Sequence, residues 1–185
     1  MTTACAQKGT WGSMNVLETP RLILRPLRPD DLDVLYSILS DPITMSFWPA
    51  PFSGEQVQAW IERAIAHEHE HGFGRRAVVL KTSGELIGDC GLRRAELDGA
   101  IENDLGYILF RDHWRRGYAA EAAAACLAHG FGALRLDRIC ANMPADHLAS
   151  RRVAERIGMR LEKQYHNRRN RGILTCLYAS TRTTG

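Results

Sequence analysis

Apolar residues recur along the chain at two spacings, every second residue or every third to fourth, and the switches between them predict its elements. Arg21-Leu22-Ile23-Leu24-Arg25 alternates as a first strand, which Pro26 ends. Pro29-Asp30-Asp31 then opens a helix, because proline fits a first turn and acids suit the positive helix end. Leu32, Leu35, Tyr36 and Leu39 form its apolar face, and Pro42 follows its end. Residues 45–52 are an aromatic, proline-rich connection. Ser53 and Gln56 have capping-box spacing, and the helix behind them turns Val57, Trp60, Ile61, Ala64 and Ile65 inward before ending near Gly72. Strands follow at residues 77–80 and 86–92, joined by a turn at 82–85, and residues 93–102 read as a charged loop.

The next stretch, residues 104–131, organises the rest. Tyr107, Ile108 and Phe110 favour a strand. Residues 119–131 are almost all strong helix formers or small residues. Between them, Trp114-Arg115-Arg116-Gly117-Tyr118-Ala119 brings positive side chains, a bare backbone and a helix N-terminus to one point. A phosphate or pyrophosphate needs that combination: free N–H groups, a favourable dipole and no Cβ in the way. A strand at residues 138–143 leads to a helix capped by Asp146, with Ala149, Val153, Ala154 and Ile157 inward and Gly158 at its end. Strands at 159–164 and 173–179 flank the basic loop of residues 166–172. The resulting order, β-α-α-β-β-β-α-β-α-β-β, predicts a mixed sheet with helices on both faces.

Composition narrows the function classes. The chain has 185 residues, 45% hydrophobic and 24% charged, which suits one soluble domain, over residues 15–181. Residues 1–14 are small, polar and aperiodic, and read as a disordered leader or a start-site choice, since Met14 begins a more structured stretch. A net charge of +3 gives no argument for nucleic acid, and no apolar run reaches membrane-spanning length. No signal peptide is visible, so a cytoplasmic location is expected. The five cysteines form no CxxC pair, which argues against a zinc site or a disulfide framework. His67 and His71 could share a helix face, but no acid or cysteine completes a metal site, so no metal is expected.

The motifs ETPRLILRPL, DLGYILFRDHWRRGYAAEA and HLASRRVAERIGM, in that order and separation, resemble the GNAT acetyltransferase superfamily, in particular the branch of ribosomal-protein N-terminal acetyltransferases. The resemblance spans residues 17–179. It implies an α+β three-layer fold with a mixed, mostly antiparallel seven-stranded sheet, whose two parallel central strands splay to hold acetyl-CoA. By match, Ile108, Leu109 and Phe110 offer backbone groups to the pantetheine arm. Arg115, Arg116, Gly117, Tyr118, Ala119 and Ala120 wrap the pyrophosphate. The family pattern Gln/Arg-x-x-Gly-x-Gly/Ala is met at Gly117 and Ala119, with Trp114 in its first place. The family's Asn-x-x-Ser appears as His147-Leu148-Ala149-Ser150, keeping the serine and replacing the asparagine; the histidine ring could still give the cofactor one hydrogen bond.

The implied activity is N-acetyl transfer from acetyl-CoA by direct attack of a primary amine in a ternary complex. The acceptor is a protein N-terminal α-amine or, nearly as well, a small-molecule amine; a non-catalytic acyl-CoA sensor is the alternative. Asp104 stands where the family often has glutamate and is the candidate base, against a solvent-facing residue at a strand start. Ser150 is the candidate acid for the leaving thiol, against a helix-turn hydroxyl bonded to backbone. The N–H near Leu109 is the candidate oxyanion donor. Phe47-Trp48-Pro49 either walls the acceptor pocket or packs in the core. Arg168, Arg169 and Arg171 are an exposed hairpin tip or a contact for an acidic partner. Oligomeric state is left open, with a homodimer among the options.

Overall fold

Strands that alternate at period two bury one face each, and the helical stripes of this chain supply a cover for both faces of their sheet. In the computed structural model, which describes residues 16–182, the elements are β1 (Leu17–Glu18), β2 (Leu22–Pro26), α1 (Leu32–Leu39), α2 (Gly54–His71), β3 (Arg75–Leu80), β4 (Leu86–Leu97), β5 (Ala100–Leu109), α3 (Tyr118–Gly132), β6 (Arg138–Pro144), α4 (Leu148–Arg156), β7 (Arg160–Asn167) and β8 (Ile173–Thr181). The expected leader over residues 1–14 lies outside the described residues. One sheet runs in the order β1-β2-β3-β4-β5-β6-β8-β7, and its single parallel pair is β5 with β6. Among the described residues no helix is long and apolar enough to cross a membrane.

Each face of the sheet has its own core. Leu35, Ile38 and Leu39 of α1 and Val57, Trp60, Ile61 and Ala64 of α2 pack on Ala77, Val79 and Ile108. Ala122, Ala123, Cys126 and Leu127 of α3 and Ala154 of α4 pack on Val78, Leu80, Leu105 and Leu109. Cys90, Cys126, Cys140 and Cys176 are buried free thiols, and Cys5 lies outside the described residues. The Ser53–Gln56 capping box is present, with Gln56 N–H donating to Ser53 Oγ and Ser53 N–H to Gln56 Oε1, at 3.3 and 2.8 Å.

Several elements differ from expectation. The sheet has eight strands rather than seven, because the two-residue β1, too short to show alternation, pairs with β2. Pro29–Asp31 forms a 3-10 turn that runs directly into α1, and Asp31, the residue before that helix, also pairs with Arg25 at 2.6 Å. Tyr36 and Ile65 are exposed, so they extend neither helix's buried stripe. The charged loop expected at 93–102 is strand: β4 and β5 continue to a two-residue turn, Asp98-Gly99, with φ of 49° and 83°. Asp-Gly suits that left-handed turn. Its strands hold polar residues because Arg93 pairs across to Asp104, while Leu97 packs on Cys140, Leu177 and Ala179.

Two details of β4 and β5 shape the centre. The β3–β4 register shifts at Val78/Val79, leaving Ile87 as an extra residue before Gly88. Gly88 has φ of 147°, and a Cβ there would lie 2.1 Å from the Ile108 carbonyl oxygen, so only glycine lets β5 lie this close. Beyond this, β5 and β6 pair at a single position, Asp104 opposite Cys140, and then diverge. The gap between them is the expected splay.

His67 fastens α2 to the sheet. Its Nδ1 lies 2.7 Å from the Phe73 carbonyl, and its Nε2 lies 2.9 Å from the Arg94 amide nitrogen. The amide can only donate, so the ring is neutral with its proton on Nδ1. Burial pushes the imidazole below its ordinary value; the Phe73 bond opposes this and His71 adds to it. Stability from this staple is therefore present above the unfolded value of about 6.5 and lost as pH falls through the lower folded value. Chemical denaturation of the wild type between pH 7 and 5 is expected to show a falling midpoint, with a shallower fall in His67→Gln.

Candidate active site

The loop from β5 to α3 gathers unpaired N–H groups and positive side chains at one point. Arg115 and Gly117 both have positive φ, 60° and 80°, which coils the chain tightly before the helix. Gly117 is the N-cap of α3, and the first helical bond runs from Glu121 N–H to its carbonyl at 3.1 Å. The N–H groups of Tyr118, Ala119 and Ala120 therefore have no acceptor within the helix. Arg115 and Arg116 are exposed beside them, and neither meets a carboxylate among the described residues. Trp114 donates its indole N–H to the Leu109 carbonyl at 2.7 Å, tying the turn to the end of β5.

The turn is also held from the far end of the chain, which sequence reasoning missed. Arg21 donates to the Arg116 carbonyl at 2.9 Å and lies over the Tyr118 ring at 4.5 Å. Glu121 accepts from Thr19 and from both the backbone and side chain of Arg21. The signal was present: Glu121 is the single acid in a run of alanines one turn after Gly117.

The gap continues from this turn between β5 and β6. Alternate residues of β5 bond to β4, and Phe110 N–H reaches Ile87 O at 2.9 Å. That phase turns the N–H groups of Tyr107 and Leu109 toward the gap. The side chains of Tyr107, Leu105 and Leu109 lie on the α3/α4 face, and that of Ile108 on the α1/α2 face. Asp104 has the phase of Ile108, so β5 presents Asp104 to one face and Tyr107 to the other.

Tyr107 donates its hydroxyl to the Ser150 carbonyl at 3.2 Å, bringing the first turn of α4 to the gap. Burial pushes the Tyr107 phenol far up, so it stays protonated. Ser150 is buried, and its Oγ lies 3.2 Å from His147 Nε2. His147, not the expected Asp146, caps α4: its Nδ1 accepts from Ser150 N–H at 3.4 Å, while Asp146 is exposed. The His147 ring stacks on Phe47, with centroids 3.7 Å apart and planes 14° apart.

A cleft of roughly 1710 Å³ joins these parts, lined from the Arg115–Ala120 turn through β5 to Asn142, His147 and Ser150. Comparison with known proteins shows which family the chain belongs to. Residues 21–160 match the family model described as an acetyltransferase (GNAT) domain. The chain belongs to the GNAT acetyltransferase family. It is 30% identical over 151 residues to a Bacillus licheniformis protein named N-acetyltransferase p20, covering 80% of this chain and 84% of that one. A crystal structure of an acetyltransferase from Agrobacterium tumefaciens superposes with a TM-score of 0.79 at 28% identity, covering 95% of this chain and 99% of that one. RimL, a ribosomal α-N-protein acetyltransferase solved in complex with coenzyme A, shares the fold at TM-score 0.73 and 16% identity, covering 91% and 98%.

Within this acetyltransferase, the sequence-predicted residues divide. Leu109, Arg115, Gly117, Tyr118, Ala119, Ala120, His147 and Ser150 line the cleft, and Ile108 and Asp104 line it from the α1/α2 face. Phe110 and Arg116 flank it. Asp104 is 3% exposed rather than solvent-facing, and it accepts from Asn142 Nδ2 at 2.9 Å and Arg93 Nε at 3.1 Å. The α1/α2 side carries an aromatic wall of Trp48, Phe52 and Trp60, edge to face at 5.5 to 5.8 Å. Below it Asp89, fully buried, accepts from Trp60 Nε1 at 2.6 Å and pairs with Arg75. The hairpin after β7 borders the same cleft. There Arg169 is paired with Glu96 at 2.6 Å, and Asn170 donates to the Phe47 carbonyl at 3.2 Å, so this basic tip is partly committed within the fold.

Proposed function

We propose that this enzyme transfers the acetyl group of acetyl-CoA to a primary amine, with a protein N-terminal α-amine as the acceptor. The observation that supports this best is the two-sided presentation of β5: Ser150 on the α3/α4 face and Asp104 on the α1/α2 face of one gap. The turn from Arg115 to Ala120 holds the pyrophosphate, the gap-facing groups of Tyr107 and Leu109 hold the pantetheine arm, and the Leu109 N–H faces the thioester oxygen. The amine arrives from the aromatic wall.

The amine has to be neutral when it attacks. At pH 7 a lysine amine costs about 4–5 kcal/mol to neutralise and an α-amine about 1 kcal/mol. Asp104 pairs with Arg93 and accepts from Asn142, and it acts as the base through one water. An α-amine, already close to neutral, needs only one carboxylate acting through water. Ser150 donates a hydrogen bond to the departing sulfur.

Kinetics on an α-amine peptide test the assignment. Asp104→Ala is expected to lower kcat/KM about 100-fold, with a smaller loss at pH 9, where the amine is already neutral. Ser150→Ala is expected to lower kcat by about tenfold or more with little change in the KM for acetyl-CoA. Transfer untouched by both changes would remove these roles.

A further inference from the structure

Arg75 is buried on the α1/α2 face, where its guanidinium has five N–H bonds to place. Asp89 takes Nε at 3.3 Å and Nη2 beside it, as a forked pair. The Trp60 ring covers the group, 5.3 Å from the guanidinium carbon. Nη1 is left over. Among the described residues it meets no acceptor, yet it is not sealed in, because Arg75 lines the cleft. The strand register sets where Nη1 goes. Arg75 of β3 stands opposite Gly91 of β4, and Gly91 opposite Gly106 of β5. Two glycines in that row leave the sheet surface bare, and the long side chain lies across it. A Cβ on Gly106 would fall 2.3 Å from Nη1, so the nitrogen fills the place of the missing side chain. Gly106 shares its face with Asp104 and Ile108, its neighbours two residues to either side. A free donor thus stands about 7 Å along β5 from the proposed base.

We infer that Arg75 Nη1 binds the carbonyl oxygen next to the acceptor's α-amine, and so selects amines that carry a neighbouring carbonyl. This rests on the acetyl-transfer reading above. In a peptide N-terminus that oxygen is three bonds from the amine nitrogen. With the oxygen on Nη1, the amine lies toward Asp104, at a separation that one bridging water fills. The charges suit a neutral oxygen. Arg75 is matched by Asp89 and Arg93 by Asp104, so neither arginine has a spare charge for a carboxylate. A lysine side-chain amine brings no carbonyl within reach of the same donor.

The competing role for Arg75 is that of a buried partner for Asp89 alone, and a change in the substrate separates the two. Kinetics are run on a peptide with a free N-terminus and on the same peptide with its first carbonyl oxygen replaced by sulfur, a poor acceptor. The wild type is expected to prefer the oxygen peptide about tenfold in kcat/KM, mainly through KM. Arg75→Lys keeps a cation opposite Asp89, but it has no fork and its ammonium ends short of Gly106. Its preference is expected to fall to about twofold or less, with the KM for acetyl-CoA unchanged. Arg75→Met with Asp89→Leu removes the donor together with its partner and should lose the same preference, so the test survives if the lysine variant does not fold. A structural role alone would slow both peptides equally; an unchanged preference in the variants, or none in the wild type, overturns the inference and leaves the acetyltransferase reading standing. Faster transfer to a free amino acid than to the peptide, lost in Arg75→Lys, would put a carboxylate on Nη1 and overturn the choice of a carbonyl. A wild type that transfers acetyl to no amine would instead overturn the reading beneath it.

Discussion

Gly117→Glu is expected to abolish the thermal stabilisation that acetyl-CoA gives the wild type. A ligand at 100 times its Kd stabilises the folded state by about 2.7 kcal/mol, which for a domain of this size is roughly 5–10 °C. Gly117 sits at φ of 80°, and a Cβ there would come 3.3 Å from the Arg21 guanidinium that holds the turn. A glutamate would add a carboxylate in front of the N–H groups of Tyr118, Ala119 and Ala120, where the phosphates belong. Gly117→Ala is the control. It carries the left-handed strain of about 1–2 kcal/mol, so its unliganded melting temperature falls, yet it adds no charge and should keep a cofactor shift. A full shift in the glutamate variant would move the pyrophosphate away from this turn.

Asp89→Ala is expected to cost about 3–5 kcal/mol of folding stability, the range for a buried ion pair that loses one partner. Asp89 is fully buried and takes both Arg75 and the Trp60 indole, so removing it strands a cation and an N–H beneath the aromatic wall. Against a total of about 5–15 kcal/mol this is a large share. The double change Arg75→Met with Asp89→Leu removes both charges and should recover much of the loss in a denaturant titration. A single variant as stable as the wild type would mean that water or a rearranged Arg75 takes up the charge.

The arginine turn and its helix were legible because their signals are local: a strand, one glycine and a helix start lie within a dozen residues. The capping box at Ser53 and the strand and helix order were legible for the same reason. Contacts between distant segments were not. Arg21 and Glu121 are 100 residues apart, and nothing in either neighbourhood says that they meet. The strand through residues 93–102 was hidden because its cross-strand partners are charged and its alternation of apolar residues is weak, although Asp98-Gly99 marked the turn. Asp146 was favoured as a cap on side-chain type, whereas His147 holds that place because its ring accepts the Ser150 N–H. The alternative of a solvent-facing Asp104 stayed open in the sequence because its burial depends on Arg93 and Asn142, one in the strand taken for a loop and the other across the gap.

The central claim is acetyl transfer to a primary amine, and an acceptor screen tests it most directly. Acetyl-CoA is offered with the enzyme and, in separate arms, peptides with free N-termini, the same peptides with blocked N-termini, lysine side-chain models and small-molecule amines, and free CoA thiol is followed. The account predicts thiol release with free N-terminal peptides, its loss when the N-terminus is blocked, and little release from lysine side chains at pH 7. No release above the hydrolytic background with any amine, under conditions where acetyl-CoA still raises the melting temperature, would contradict it.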